Sequence, residues 1–132
     1  MKSSNKKLKF ASYIHNKKFG NYYLPARFQY VILRDYFAKK KMEFTLPQGE
    51  VIFTNKSIRL IDIIDKLDEK ANLVLLSIYL IPDENKLRVK IFEKLLKKKI
   101  KTHFIFENLI ARNGKEYSNI SNLIKLKKII YK

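Results

Sequence analysis

The chain has 132 residues, 46% of them hydrophobic, carries 29 Lys+Arg against 12 Asp+Glu for a formal charge of +17, and has no cysteine. That length holds one domain, and the apolar content is too high for a disordered chain; without cysteine, disulfides and thiolate metal sites are excluded. The longest uncharged stretch, Ala71–Pro82, falls well short of the roughly 20 apolar residues a membrane span needs.

Residues 1–7 are polar and basic and read as a flexible tail, with no apolar segment of the kind that marks a secretory signal. Residues 8–132 read as a single domain of a soluble, cytoplasmic protein. Leu8–Ile14 alternates and predicts a first strand, and residues 15–26 form a loop containing Gly20 and Pro25. From Arg27 to Lys41 the positions Phe28, Val31, Ile32 and Tyr36 recur at helical spacing and point to an inward face. Met42–Leu46 predicts a second strand, stopped by Pro47-Gln48-Gly49. Ser57 is the expected cap of a helix over 57–70, with Leu60, Ile61, Ile64 and Leu67 on one face and Asp62, Asp65, Asp68 and Glu69 opposite.

Leu73–Tyr79 is a continuous apolar run, the pattern of a strand covered on both faces. Asp83 is the expected cap of the next helix, which turns Leu87, Ile91, Phe92, Leu95 and Leu96 inward and closes on Lys97-Lys98-Lys99. Ile100–Phe106 predicts a fourth strand, and Asn113-Gly114 signals a turn. Ser118 or Asn119 opens a last helix with Ile120, Leu123, Ile124 and Ile130 buried. This alternation predicts a small three-layer α/β fold of about four mainly parallel strands with helices on both faces.

The charge needs discounting before it implies a partner. Twenty-four of the 29 basic residues are Lys and only five are Arg, whereas Arg is the residue that forks onto phosphates and base edges. A genome biased toward A/T-rich codons would inflate Lys on its own. The placement is nonetheless uneven: net +10 over residues 1–41, −4 over 42–85 and +11 over 86–132. Two basic ends around an acidic middle suit an anionic ligand such as a sugar intermediate or sugar nucleotide, or simply solubility. An alternative is a non-catalytic nucleic-acid-binding module using the Lys-rich helices at 86–101 and 118–132. A third is a homodimer through the amphipathic helix 57–70.

Known catalytic patterns are missing. Gly20, Gly49 and Gly114 are the only glycines, so neither phosphate-cradling glycine loop exists and no nucleotide cofactor is expected. There is no Gly-x-Ser-x-Gly elbow, and His15 and His103 lack metal-ligand spacing, so no metal is expected. Ligands of open α/β sheets bind outside the carboxyl ends of the strands, which here are residues 14–26, 47–56, 80–85 and 107–116. Candidates for acid/base work are Glu107, at a strand end after Phe104-Ile105-Phe106, Glu50, after Pro47-Gln48-Gly49, and His103, paired with Glu107 or Ser77. The competing readings are a helix cap for Glu107, a turn residue for Glu50 and a hydrogen-bonded core histidine for His103. Arg34 is the candidate for holding an anionic group, Gln29 for binding from the first turn of its helix, and Ser77 for the strand rim. Residue chemistry alone names no reaction, so an enzyme and a non-enzyme both stay open.

Tyr13-Ile14, Phe19-Gly20, Pro25, Gln29 and Val31-Ile32-Leu33-Arg34-Asp35-Tyr36 resemble the start of the family of sporadic carbohydrate cluster proteins. Leu46-Pro47 with Glu50, Leu76-Ser77-Ile78-Tyr79-Leu80-Ile81-Pro82 and His103-Phe104-Ile105-Phe106-Glu107-Asn108 continue the pattern in order, over residues 13–110. Members are found beside genes for bacterial surface polysaccharides. The resemblance implies a cytoplasmic role in building or controlling a lipopolysaccharide or capsule sugar, and supplies no reaction. The positions matching its pattern are Gln29, Arg34, Glu50, Ser77, His103 and Glu107. Lys17-Lys18 stands before Phe19-Gly20-Asn21 where the family has Arg-Pro before Phe-Gly-Gly, so no anion contact is carried over to that loop. A fold-level likeness to the serine recombinase catalytic domain rests on the first strand, Leu33-Arg34-Asp35-Tyr36 and Val74-Leu75-Leu76-Ser77-Ile78-Tyr79. The recombinase serine and arginines are replaced by His15-Asn16-Lys17 and Ile81-Pro82-Asp83-Glu84, so recombination is not implied.

Overall fold

The computed structural model describes residues 8–15, 23–49 and 58–130. The elements run β1 (Leu8–Ile14), α1 (Ala26–Lys39), β2 (Gln48–Gly49), α2 (Ile58–Lys66), β3 (Leu67–Leu75), a 3-10 turn (Ile78–Leu80), α3 (Asn85–Lys97), β4 (Lys101–Phe104), β5 (Leu109–Ala111) and α4 (Gly114–Ile130). The strands form one sheet in the order β2-β1-β3-β4-β5. All neighbours are parallel except β5, which pairs antiparallel with β4. This is the mainly parallel α/β fold that alternating strands and helices predict.

Successive strand residues face opposite sides, so adjacent Thr102 and His103 report what covers each face. His103 meets Tyr36 of α1, and Thr102 meets Tyr117 of α4. Phe92 of α3 packs on Tyr117, and Lys94 of α3 ties to Asp65 of α2. One face therefore carries α1, and the other carries α2, α3 and α4. Between the layers Leu73, Val74 and Leu75 are fully buried, as the apolar run predicts.

Several boundaries differ from the sequence-based expectation, each for a visible reason. Residues 42–46 are not a strand. Past the left-handed Lys41 (φ 56°), the Met42 N–H donates back to the Phe37 carbonyl. Phe44 then stacks edge-on against Phe37, and the Thr45 hydroxyl donates to the Phe10 carbonyl. A side chain thus takes the place of the ladder until Gln48. Helix α2 stops at Lys66, not 70, because the Lys98 ammonium binds the carbonyls of Ile64, Asp65 and Leu67 at 2.8–2.9 Å. The chain enters β3 at once, six residues ahead of the apolar run. Part of the Lys97-Lys98-Lys99 run thereby caps a neighbouring helix as well as its own.

Strand β5 was not anticipated; at three residues it shows no periodicity. Asn113-Gly114 is a helix start rather than a turn between elements. The Glu116 N–H donates to Asn113 Oδ1 and the Arg112 N–H to Glu116 Oε1, so α4 opens at Gly114, ahead of Ser118. Helix α3 follows Glu84 without a side-chain cap, and the expected Ser57 cap lies outside the described residues. In α1 the buried positions are Gln29, Leu33 and Phe37, while Phe28 and Val31 are 50% and 65% exposed. That segment is apolar nearly all round, so periodicity alone could not orient it.

Ser12 lies opposite Val74 in the ladder, and its buried hydroxyl has no hydrogen-bond partner among the described residues. Ser12→Ala removes an unpaired polar group without opening a large cavity. It is expected to stabilise the fold by about 1 kcal/mol, read as a raised urea midpoint at unchanged slope; a lowered midpoint contradicts this.

Candidate functional site

Strand order reverses between β1 and β3: the chain leaves β1 for the β2 edge, then returns through α2 to β3 on the opposite side. The crevice at their carboxyl ends is the place where such sheets bind ligands. Ser77 and Glu107 meet beside it, past the carboxyl ends of the paired strands β3 and β4. β3 ends at Leu75, and Ser77 caps the 3-10 turn, its hydroxyl oxygen accepting the Tyr79 N–H at 3.2 Å. Glu107 stands in the tight connection between β4 and β5, where Asn108 is left-handed at φ 55°. The Ser77 hydroxyl donates to Glu107 Oε2 at 2.7 Å and the Ile78 N–H to Oε1 at 3.0 Å. Both carboxylate oxygens are thus oriented, on a side chain that remains half-buried. The expected cap reading of Glu107 is met in an altered form, with the 3-10 turn as the capped element.

Gln29 is fully buried. Its amide nitrogen donates to the carbonyls of His15 and Leu24 at 2.8 and 2.7 Å, and its oxygen accepts the His15 N–H at 3.3 Å. The side chain ties His15, after β1, to Leu24, ahead of α1. This arrangement turns it to main chain and away from the surface.

His103 is 5% exposed and does not pair with Glu107 or Ser77. Its Nδ1 lies 2.7 Å from the Tyr36 hydroxyl and its Nε2 2.9 Å from Asn72 Oδ1. An amide oxygen only accepts, so Asn72 Oδ1 sets the proton on Nε2 and leaves Nδ1 to accept from the Tyr36 hydroxyl, whose pKa burial raises. Nε2–H then donates to Asn72. Burial first, and then the charges of Lys40, Lys101 and Arg112, push the imidazole down to about 4. A ring with both nitrogens engaged and so low a pKa is a poor base at neutral pH; the hydrogen-bonded core reading describes it.

Arg34 is exposed on α1 with its guanidinium 5.2 Å from the Phe44 ring centre, a contact with the loop after α1 rather than with Ser77 or Glu107. Glu50 lies outside the described residues. Sequence reasoning missed Arg88, which is only 1% exposed. Its spacing of three, four and seven from the buried Ile91, Phe92 and Leu95 was the available signal, masked by the habit of placing arginine outside.

Among the described residues no group of three His, Cys, Asp or Glu could hold a metal ion, and no helix is long and apolar enough to cross a membrane. Comparison of the chain with family models, curated proteins and solved structures finds no match.

Proposed function

We propose that this chain works in the cytoplasm in bacterial surface-carbohydrate biosynthesis, of lipopolysaccharide or capsule, as an enzyme or accessory subunit that takes an anionic sugar intermediate at the carboxyl edge of the sheet, against Ser77 and Glu107. The observation that carries the reading is the Ser77–Glu107 pair at 2.7 Å. Both residues belong to the ordered pattern that resembles the sporadic carbohydrate cluster family. A carboxylate oriented by two donors retains lone pairs for sugar hydroxyls and suits proton transfer to or from one of them.

Nucleotide sugars and sugar phosphates, screened singly by thermal shift at low and moderate salt, test this. A ligand at 100 times its Kd stabilises the native state by about 2.7 kcal/mol, a rise of several degrees. One sugar nucleotide is expected to give a salt-tolerant rise, with affinity at least tenfold weaker in Glu107→Gln, whose unliganded melting point supplies the baseline. Turnover of that compound distinguishes an enzyme from an accessory subunit. No shift with any sugar, or equal affinity in Glu107→Gln, overturns the reading.

A further inference from the structure

A second feature stands apart from that site and does not rest on its reading. Helices α3 and α4 enclose an open groove of about 370 Å³ lined by Asn85, Lys86, Val89, Lys90, Glu93, Ser121 and Lys125. Two of these, Ser121 and Asn85, are bound by Arg88, a buried guanidinium held by neutral acceptors. Nε–H donates to Ser121 Oγ at 2.9 Å, Nη1 to the carbonyls of Asp83 and Pro82 at 2.9 and 3.4 Å, and Nη2 to Asn85 Oδ1. Burial lowers the Arg88 pKa, and Asp83 only partly offsets this.

Arginine donates and never accepts. Ser121 and Asn85 must therefore turn their oxygens toward Arg88, which leaves the Ser121 hydroxyl proton and the Asn85 amide N–H groups as donors for the groove. Around them Lys86 and Lys90 lie one helical turn apart on α3, and Lys125 comes from α4. None of the three forms an ion pair among the described residues. Like charges at that spacing repel, and Glu93 is the one acidic residue in the lining.

We propose that this groove binds a phosphate group, with Lys86, Lys90 and Lys125 supplying charge and Ser121 and Asn85 supplying oriented hydrogen bonds. The ligand class is a small phosphate or phosphomonoester; a nucleic-acid backbone presents the same oxyanion and is the source that the test sets against it. Arg88 is a positioning residue in this arrangement and also reinforces its positive field.

The test is a two-dimensional amide NMR titration of the full chain with sodium phosphate, glucose 1-phosphate and a short DNA duplex, each against sodium chloride at matched ionic strength. Saturable shifts at Asn85, Lys86, Ser121 and Lys125 are expected with phosphate and with the phosphomonoester, and not with chloride. Lys90→Glu and Lys125→Glu should each weaken binding at least tenfold. Lys101→Glu, the same charge change on β4, should leave it within twofold. These substitutions are at exposed positions, and a retained spectrum elsewhere shows that the fold survives. Chloride reproducing the shifts overturns the proposal. So does an equal loss in Lys101→Glu, or binding of DNA alone with a steep salt dependence, since both describe a generic polycation.

Discussion

Acidifying the protein from pH 7 to pH 4 is expected to remove about 3 kcal/mol of folding stability through His103 alone. The folded imidazole is held at about 4, well below the ordinary 6.5. The unfolded chain therefore takes up the proton first as pH falls. The contribution is complete above pH 6.5 and is lost between 6.5 and 4, with a slope approaching 1.4 kcal/mol per pH unit. The physical origin is burial between Tyr36 and Asn72, reinforced by the positive charges of Lys40, Lys101 and Arg112, which oppose an imidazolium. Urea denaturation across this range, for the parent and for His103→Gln, measures it. The parent should lose stability through the window, and the glutamine variant, which keeps hydrogen-bonding capacity without titrating there, should be flatter by about that amount. Identical profiles would place the titrating group elsewhere.

The second large effect belongs to Gln29. Gln29→Met keeps the length and volume of the side chain but removes its hydrogen bonds to the His15 N–H and to the His15 and Leu24 carbonyls. Each such hydrogen bond contributes about 1 kcal/mol, so a loss of about 3 kcal/mol in urea unfolding is expected. The same variant separates two roles for this residue. A structural clamp predicts a large stability loss, with any ligand at the carboxyl edge weakened through the loosened tie between β1 and α1. A direct ligand contact predicts near-parent stability with lost binding, and that result would contradict the geometry.

Much of the candidate site was legible as a set of positions, less so as a set of contacts. Glu107 stands out in the sequence because a carboxylate follows the wholly apolar Phe104-Ile105-Phe106, and it does stand at the carboxyl edge. Its pairing with Ser77, 30 residues earlier, depends on β3 and β4 being neighbours in parallel register. His103 was grouped with the same pair, but it precedes Glu107 by four residues along the strand and its connection and turns toward α1. Alternation within a strand fixes which side a residue faces only relative to its neighbours, and the absolute side is set by the helices that cover the sheet.

Local chemistry by itself determined the first strand, the central buried strand at Leu73–Leu75, the strand after α3 and the four helical segments. These follow from apolar periodicity and helix-end residues that act over a few positions. Only the tertiary structure decided where those elements begin and end. Lys98 terminates α2 from α3, Thr45 displaces a ladder bond beside β1, and Asn113 starts α4 rather than a turn. It also decided that Gln29 and Arg88 are buried, since nearby carbonyls (Leu24 for the first, Pro82 and Asp83 for the second) join His15 and Ser121 from other elements to satisfy polar groups that composition alone would leave in water. Hydrogen bonds between residues far apart in sequence compete with local propensity at energies of the same order, about 1 kcal/mol each, so the ends of elements and the orientation of polar side chains are settled by the assembled fold.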